Sequence, residues 1–162
     1  MAVWHFRIIF VPVDILKDHD NAIVIYITED NINKNNPWKD QKLDFSLFEK
    51  VATETKSWSK GIRVWGKEHE SAIEVLFEEE NKKQVVEVSA KIDLRGDYLS
   101  FCLKLVELAK QVNCWIYILS TNQCFAPDMN TLLAFLRKSL AYKYMKNPEK
   151  ALKELKDYPN RE

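Results

Sequence analysis

Three histidines, His5, His19 and His69, are the side chains best suited to acid–base or metal chemistry at neutral pH. None has a second histidine or a cysteine at ligand spacing. Glu68, His69 and Glu70 are consecutive. On an extended segment they point to alternating faces, so they cannot chelate one ion together. A solvated turn, with no metal, is the expectation. Nucleophile patterns are absent as well. There is no Gly-x-Ser-x-Gly, and Cys102, Cys114 and Cys124 include no Cys-x-x-Cys pair. With only 3 glycines the chain holds no glycine-rich phosphate loop. No catalytic residue and no cofactor are therefore expected, and the chain does not read as an enzyme.

Charged and aromatic residues remain as candidates for binding. Asp93-Leu94-Arg95-Gly96-Asp97 reads as a strand end, a glycine turn and a helix cap, with Asp93 and Arg95 on one strand face. The sequence Arg-Gly-Asp within it reads as coincidence. Glu68, Glu70, Glu74, Glu78, Glu79 and Glu80 surround a hairpin. They form either a solvated edge that resists strand pairing or an acidic docking face for a basic partner. Trp38 and Trp65 are the candidate exposed anchors, although Trp65 also fits a core position. The partner-binding set read from these patterns is Trp65, Glu74, Glu78, Lys91, Asp93 and Arg95.

These residues depend on the elements that carry them. Strand periodicity spans Val3–Val11, where Trp4, Phe6, Ile8 and Phe10 alternate with His5, Arg7 and Ile9, and Pro12 stops or edges it. A second strand is read at Ile23–Thr28. Residues 29–42, rich in Asn, Asp and Lys, read as a long irregular loop, mobile or functional. A helix is expected at about Asp44–Trp58, its inner stripe being Leu47, Phe48, Val51, Thr55 and Trp58. Three strands follow: Ile62–Trp65, one carrying Ile73, Val75 and Phe77, and one carrying Val86, Val88, Ala90, Ile92 and Leu94. The last alternates with Glu87, Ser89, Lys91 and Asp93, as an antiparallel sheet covered on one face requires. Helices are expected at about Asp97–Val112 (Leu99, Cys102, Leu103, Val106 and Ala109 inward), Asp128–Tyr144 (Leu132, Leu133, Leu136 and Leu140 inward) and Pro148–Leu155. An apolar strand is expected at Trp115–Leu119, and a frayed tail over 156–162. The sum is α+β: one domain, residues 1–162, with a mixed, mostly antiparallel sheet and helices packed on one face.

Composition narrows the class further. Lys+Arg and Asp+Glu both count 24, which speaks against a nucleic-acid binder driven by bulk charge. A stripe of Arg137, Lys138, Lys143, Lys146 and Lys150 is interrupted by Glu149 and Glu154. No apolar run reaches the roughly 20 residues that a membrane-spanning helix needs. The first residues alternate and do not read as a signal peptide. An odd number of cysteines in apolar patterns reads as reduced, buried thiols, so the expected location is cytoplasmic.

One longer pattern is familiar. Val64-Trp65-Gly66, a hairpin ending Ile92-Asp93-Leu94-Arg95, and a helix with Leu99 and Leu105-Val106-Glu107-Leu108-Ala109 are followed by a short apolar strand. Ser139-Leu140-Ala141, Asn147-Pro148 and Leu152 continue it. Over about residues 60–155 this resembles small uncharacterised bacterial domains of toxin–immunity gene neighbourhoods. The resemblance implies a non-catalytic immunity-type protein that binds and occludes a partner toxin. The formal neutrality of this chain departs from the acidic character common in antidotes to nucleases, which leaves other toxin classes open. Two alternatives stand beside this reading. One is a small enzyme or small-molecule binder using His5, Asp93, Arg95 and Tyr117 in a pocket between sheet and helices. The other is a structural or adaptor subunit.

Overall fold

The computed structural model of the chain describes residues 2–19, 24–34 and 36–157. The described residues form an α+β domain around a single sheet of eight strands in the order β2-β8-β7-β1-β6-β5-β4-β3. The strands are β1 His5–Pro12, β2 Val24–Tyr26, β3 Glu54–Thr55, β4 Ile62–Gly66, β5 Ala72–Phe77, β6 Val85–Asp93, β7 Cys114–Ile118 and β8 Gln123–Phe125. Every neighbouring pair is antiparallel. Both β6 and β7 pair with β1, so they run parallel to each other with one strand between them. The crossover joining them carries α2, Tyr98–Gln111.

Strand alternation divides the sheet into two faces. Phe6, Ile8 and Phe10 of β1, with Val88, Ala90 and Ile92 of β6 and Ile73 and Val75 of β5, face the main core. That core is closed by Cys102, Leu105, Val106, Leu108 and Ala109 of α2 and by Leu132 and Leu136 of α3, Met129–Lys138. Cys102, Val106 and Ala109 are buried as expected, but Leu105 and Leu108 complete the inward stripe of α2, and Leu99 and Leu103 are exposed. A second, smaller core lies on the opposite face at the β2–β1 end of the sheet. There Ile9, Val11, Ile25, Tyr117 and Cys124 are covered by Leu16 of a 3-10 helix, Val13–His19, and by Ile32 of α1, Glu29–Asn33. Over the remainder of that face, on β1, β6 and β5, no helix packs among the described residues.

Several expected elements change form. The helix expected at Asp44–Trp58 is a 3-10 helix at Phe45–Lys50, with the Asp44 carboxylate accepting from the Ser46 N–H at 3.0 Å. It stops because the following residues pair as strand. Gly66 N–H donates to the Thr53 carbonyl at 2.9 Å, and Glu54–Thr55 lie opposite Trp65 and Val64. Trp58 is consequently outside any helix and 66% exposed. The loop at 29–42 is structural over its described residues. It opens with α1, and Asn36 then builds a turn: its side-chain oxygen accepts from the Trp38 N–H at 3.0 Å and its amide donates to the Val85 carbonyl at 3.3 Å. Gln84 donates to the Trp38 carbonyl at 3.1 Å, and Trp38 is buried, not an exposed anchor.

The expected helix Asp128–Tyr144 is two helices. Ser139 takes an extended ψ of 154° and serves both, donating to the Leu136 carbonyl at 2.6 Å and accepting from the Tyr142 N–H at 3.2 Å. Leu140 begins α4, Leu140–Lys146, and is exposed where an inward position was expected. Pro12 ends β1 without breaking it. It lies opposite Cys114 as the last residue of the strand, where its missing N–H leaves no ladder position empty inside the strand. Asn147 caps α5, Pro148–Asp157, accepting from the Lys150 N–H at 3.1 Å, as its Asn-Pro pair suggests. Ile23, within the expected second strand, and residues 158–162 of the expected tail lie outside the described residues.

Candidate functional site

The uncovered part of the sheet has a register that can be read residue by residue. His5 lies opposite Asp93 and Arg7 opposite Lys91 on the β1–β6 pair. Glu74 lies opposite Ser89, and Ala72 opposite Lys91, on the β5–β6 pair. Residues directly opposite share a face. His5, Arg7, Ser89, Lys91 and Glu74 therefore form one polar floor. Over it stands a recess of about 480 Å³, whose other walls are Ala2, Trp58, Glu68 and His69.

Charge pairs organise this floor. Arg7 bonds Glu87 and reaches the Ser89 hydroxyl at 3.4 Å. The Lys91 ammonium donates to the Glu68 carbonyl. It stands 3.9 Å from the nearer Glu74 oxygen, beyond hydrogen-bond reach, with its side chain only 13% exposed. At the end of β6, Asp93 is buried and accepts from the Arg95 guanidinium at 2.7 Å and from the Arg95 N–H at 3.0 Å. These bonds hold the Asp93 carboxyl below the usual carboxylate range. Arg95 in turn donates to the His69 carbonyl at 3.0 Å and lies 4.4 Å over the Trp4 ring. Through these two carbonyls Lys91 and Arg95 hold the turn between β4 and β5 against the recess.

His5 is 8% exposed. Its Nδ1 accepts the Ala2 N–H at 3.2 Å, so the neutral ring carries its proton on Nε2, and that atom has no hydrogen-bond partner. The nearby His69 carbonyl favours a proton on His5 without completing a bond to it. Burial, and next the charge of Lys91, hold His5 below the ordinary histidine value despite the opposing pull of Asp93. In the window below about 6.5 the unfolded chain then binds more protons at this residue than the folded one. The contribution is fully present above about 6.5 and is lost as pH falls toward the lower native midpoint. Chemical denaturation of wild type and His5→Gln between about pH 5 and pH 7.5 should show stability rising with pH in wild type, and a shallower slope in the variant. Equal slopes would remove the buried neutral imidazole from the account.

Of the residues singled out from sequence, Glu74 and Lys91 line the recess, and Asp93 and Arg95 form the adjoining pair. Glu78 is exposed at the far end of the hairpin, where its N–H closes the connection onto the Gln84 carbonyl. Trp65 requires a correction. It is fully buried on the helix-covered face, stacked on Phe45 with ring centres 5.5 Å apart, and donates to Glu49 at 3.1 Å. It cannot touch a partner. Tyr117 is not part of any assembled set with His5, Asp93 and Arg95, because it lies in the smaller core with its hydroxyl bonded to Asn122 at 2.7 Å.

Sequence reasoning left out Trp58, Arg7 and Ser89. The alternation of His5 and Arg7 with Phe6 and Ile8 did place the first two on one face. Their meeting with Ser89 and Lys91 depends on β1 pairing with β6, which no local pattern encodes. Cys102, Cys114 and Cys124 are buried free thiols, each pushed up to about 12 by burial, which makes them poor nucleophiles. In the basic stripe, Lys143 pairs with Glu154 at 3.6 Å and Lys146 lies 5.5 Å over the Tyr142 ring. Among the described residues no helix is long and apolar enough to cross a membrane. The chain matches no protein-family model, no curated protein sequence and no solved structure.

Proposed function

We propose that this chain is a non-catalytic protein-binding domain that docks its partner on the uncovered part of the sheet. The observation that carries the reading is Trp58, a large aromatic side chain 66% exposed beside a recess floored by charges of both signs. Tryptophan is enriched among the side chains that anchor protein interfaces. Glu74 and Lys91 supply polar specificity around it, and the Asp93–Arg95 pair stiffens the adjoining corner. In the finer form of the proposal the domain is an immunity-type bacterial protein, and the partner is a toxin whose active site is sterically occluded. A cytoplasmic location accompanies this reading, since buried free thiols need no oxidising compartment.

The product of an adjacent gene is the first partner to test. Trp58→Ala should leave folding stability within about 0.5 kcal/mol of wild type, as surface substitutions do. It should weaken partner binding by about 2 kcal/mol, roughly thirtyfold. Calorimetry of wild type and the Trp58 variant against the co-expressed partner, with growth rescue as the cellular readout, makes the comparison. Undiminished binding by the Trp58 variant, or failure of the wild-type chain to rescue or bind, would sink the proposal.

A further inference from the structure

The recess beside Trp58 holds more hydrogen-bond donors than the protein itself satisfies. Lys91 has three N–H groups, and one of them is used on the Glu68 carbonyl. Its closest carboxylate, Glu74, stands too far for a hydrogen bond at 3.9 Å. Arg7 commits one nitrogen to Glu87 and Ser89, which leaves the rest of its five-donor fork. His5, which lines the same recess, is 92% buried (8% exposed) and its Nε2 proton has no acceptor. Three neighbouring strand positions thus present positive or donor groups. Of the carboxylates beside them, Glu87 answers Arg7 only, and those of Glu74 and Glu68, which line the recess, hydrogen-bond to none of the three.

We infer that the recess receives a carboxylate side chain of the docked partner, seated on Lys91 with Arg7 and Ser89 alongside. The inference rests on the reading of this face as a protein-docking surface, and it names the chemistry of the group that enters it. The incoming negative charge gives the mostly buried ammonium a hydrogen-bonded counter-ion, and such charge-assisted bonds are the strong ones. The same charge compensates the unanswered N–H of His5 across the recess wall. Aspartate or glutamate on a partner segment fits. A carboxamide of the same shape lacks the charge, and a lysine would meet Lys91 and Arg7.

The test uses the full-length chain with nitrogen-labelled histidine and needs no partner protein. A capped glycine–glutamate–glycine peptide is titrated while the His5 ring signals are followed, and its glutamine counterpart serves as the control. The glutamate peptide should shift the His5 signals, raise the His5 titration midpoint and bind at least about tenfold more tightly than the glutamine peptide. Lys91→Gln, with a dispersed spectrum confirming its fold, should erase that preference. Equal binding of the two peptides, or a preference that survives in the Lys91 variant, would overturn the inference. Acetate binding as tightly as the glutamate peptide would overturn the assignment to a protein side chain. Because the Trp58 comparison uses the whole partner and this titration does not, failure of one is separable from failure of the other.

Discussion

Replacing Gly66 by alanine is expected to cost about 3 kcal/mol or more of folding stability, among the largest effects of any single methyl group added to this chain. Gly66 has φ +115°, a backbone conformation that L side chains rarely adopt. A Cβ there meets the Ser71 carbonyl oxygen and stands 2.8 Å from the Ala72 Cα, so backbone must move in the β4–β5 hairpin. The hairpin cannot yield cheaply, because the Gly66 N–H is bonded to Thr53 and its carbonyl accepts from the Thr55 hydroxyl at 2.6 Å. Urea denaturation measures the loss as a lowered midpoint with little change of slope. Gly96→Ala is the control, since nothing lies within 4 Å of an added Cβ and φ is not positive there. It should be within about 0.5 kcal/mol of wild type. Equal effects of the two substitutions would refute the strained turn.

Trp65→Ala should cost a further class of energy, about 3–5 kcal/mol, as large-to-small changes of aromatic residues in cores do. Trp65 is fully buried, stacked on Phe45 at an interplanar angle of 14° and edge-on to Phe48 at 4.9 Å. The Arg63 guanidinium closes the outer side of this cluster, 4.8 Å over the Trp65 ring and 4.5 Å over Phe45, while its bidentate bond to Glu54 fixes it there. Truncation leaves a cavity under a cation and strands the Glu49 carboxylate without its indole donor. Trp58→Ala, by contrast, removes a mostly exposed side chain at the rim of the recess. The ratio of the two effects, measured by thermal or urea unfolding, distinguishes core from anchor. A Trp65 variant as stable as the Trp58 variant would reverse their assignments.

The pair Trp58 and Trp65 also explains how far the sequence could be read. Strands with period two were legible: β4, β5 and β6 fall where the alternation of Ile73, Val75, Val88, Ala90 and Ile92 places them. So were helix ends marked by chemistry, such as Asp97 and Asn147 as caps. The helix spacing of Leu47, Val51, Thr55 and Trp58 misled because a local period competes with long-range pairing. Glu54–Thr55 gain partners in β4, and that gain ends the helix early. Strand β8 escaped notice because three residues are too few for a period. Its signal was Asn122, which takes the left-handed conformation at φ 52° and turns the chain back. The recess stayed hidden for the same reason as β8's place in the sheet. Its floor joins residues from both ends of a long separation, His5 and Arg7 with Ser89 and Lys91.

The central position of β1 has a consequence for how the chain is made. On the ribosome, Ile8-Ile9-Phe10-Val11 leaves the exit tunnel long before the segments that flank it, residues 89–93 and then 114–117, have been translated. Until both arrive, this strand is a sticky ribbon with two bare edges, and the high contact order of its pairings delays closure further. Vectorial synthesis thus sets the period of greatest aggregation hazard, and holding chaperones have their clearest target in that nascent segment.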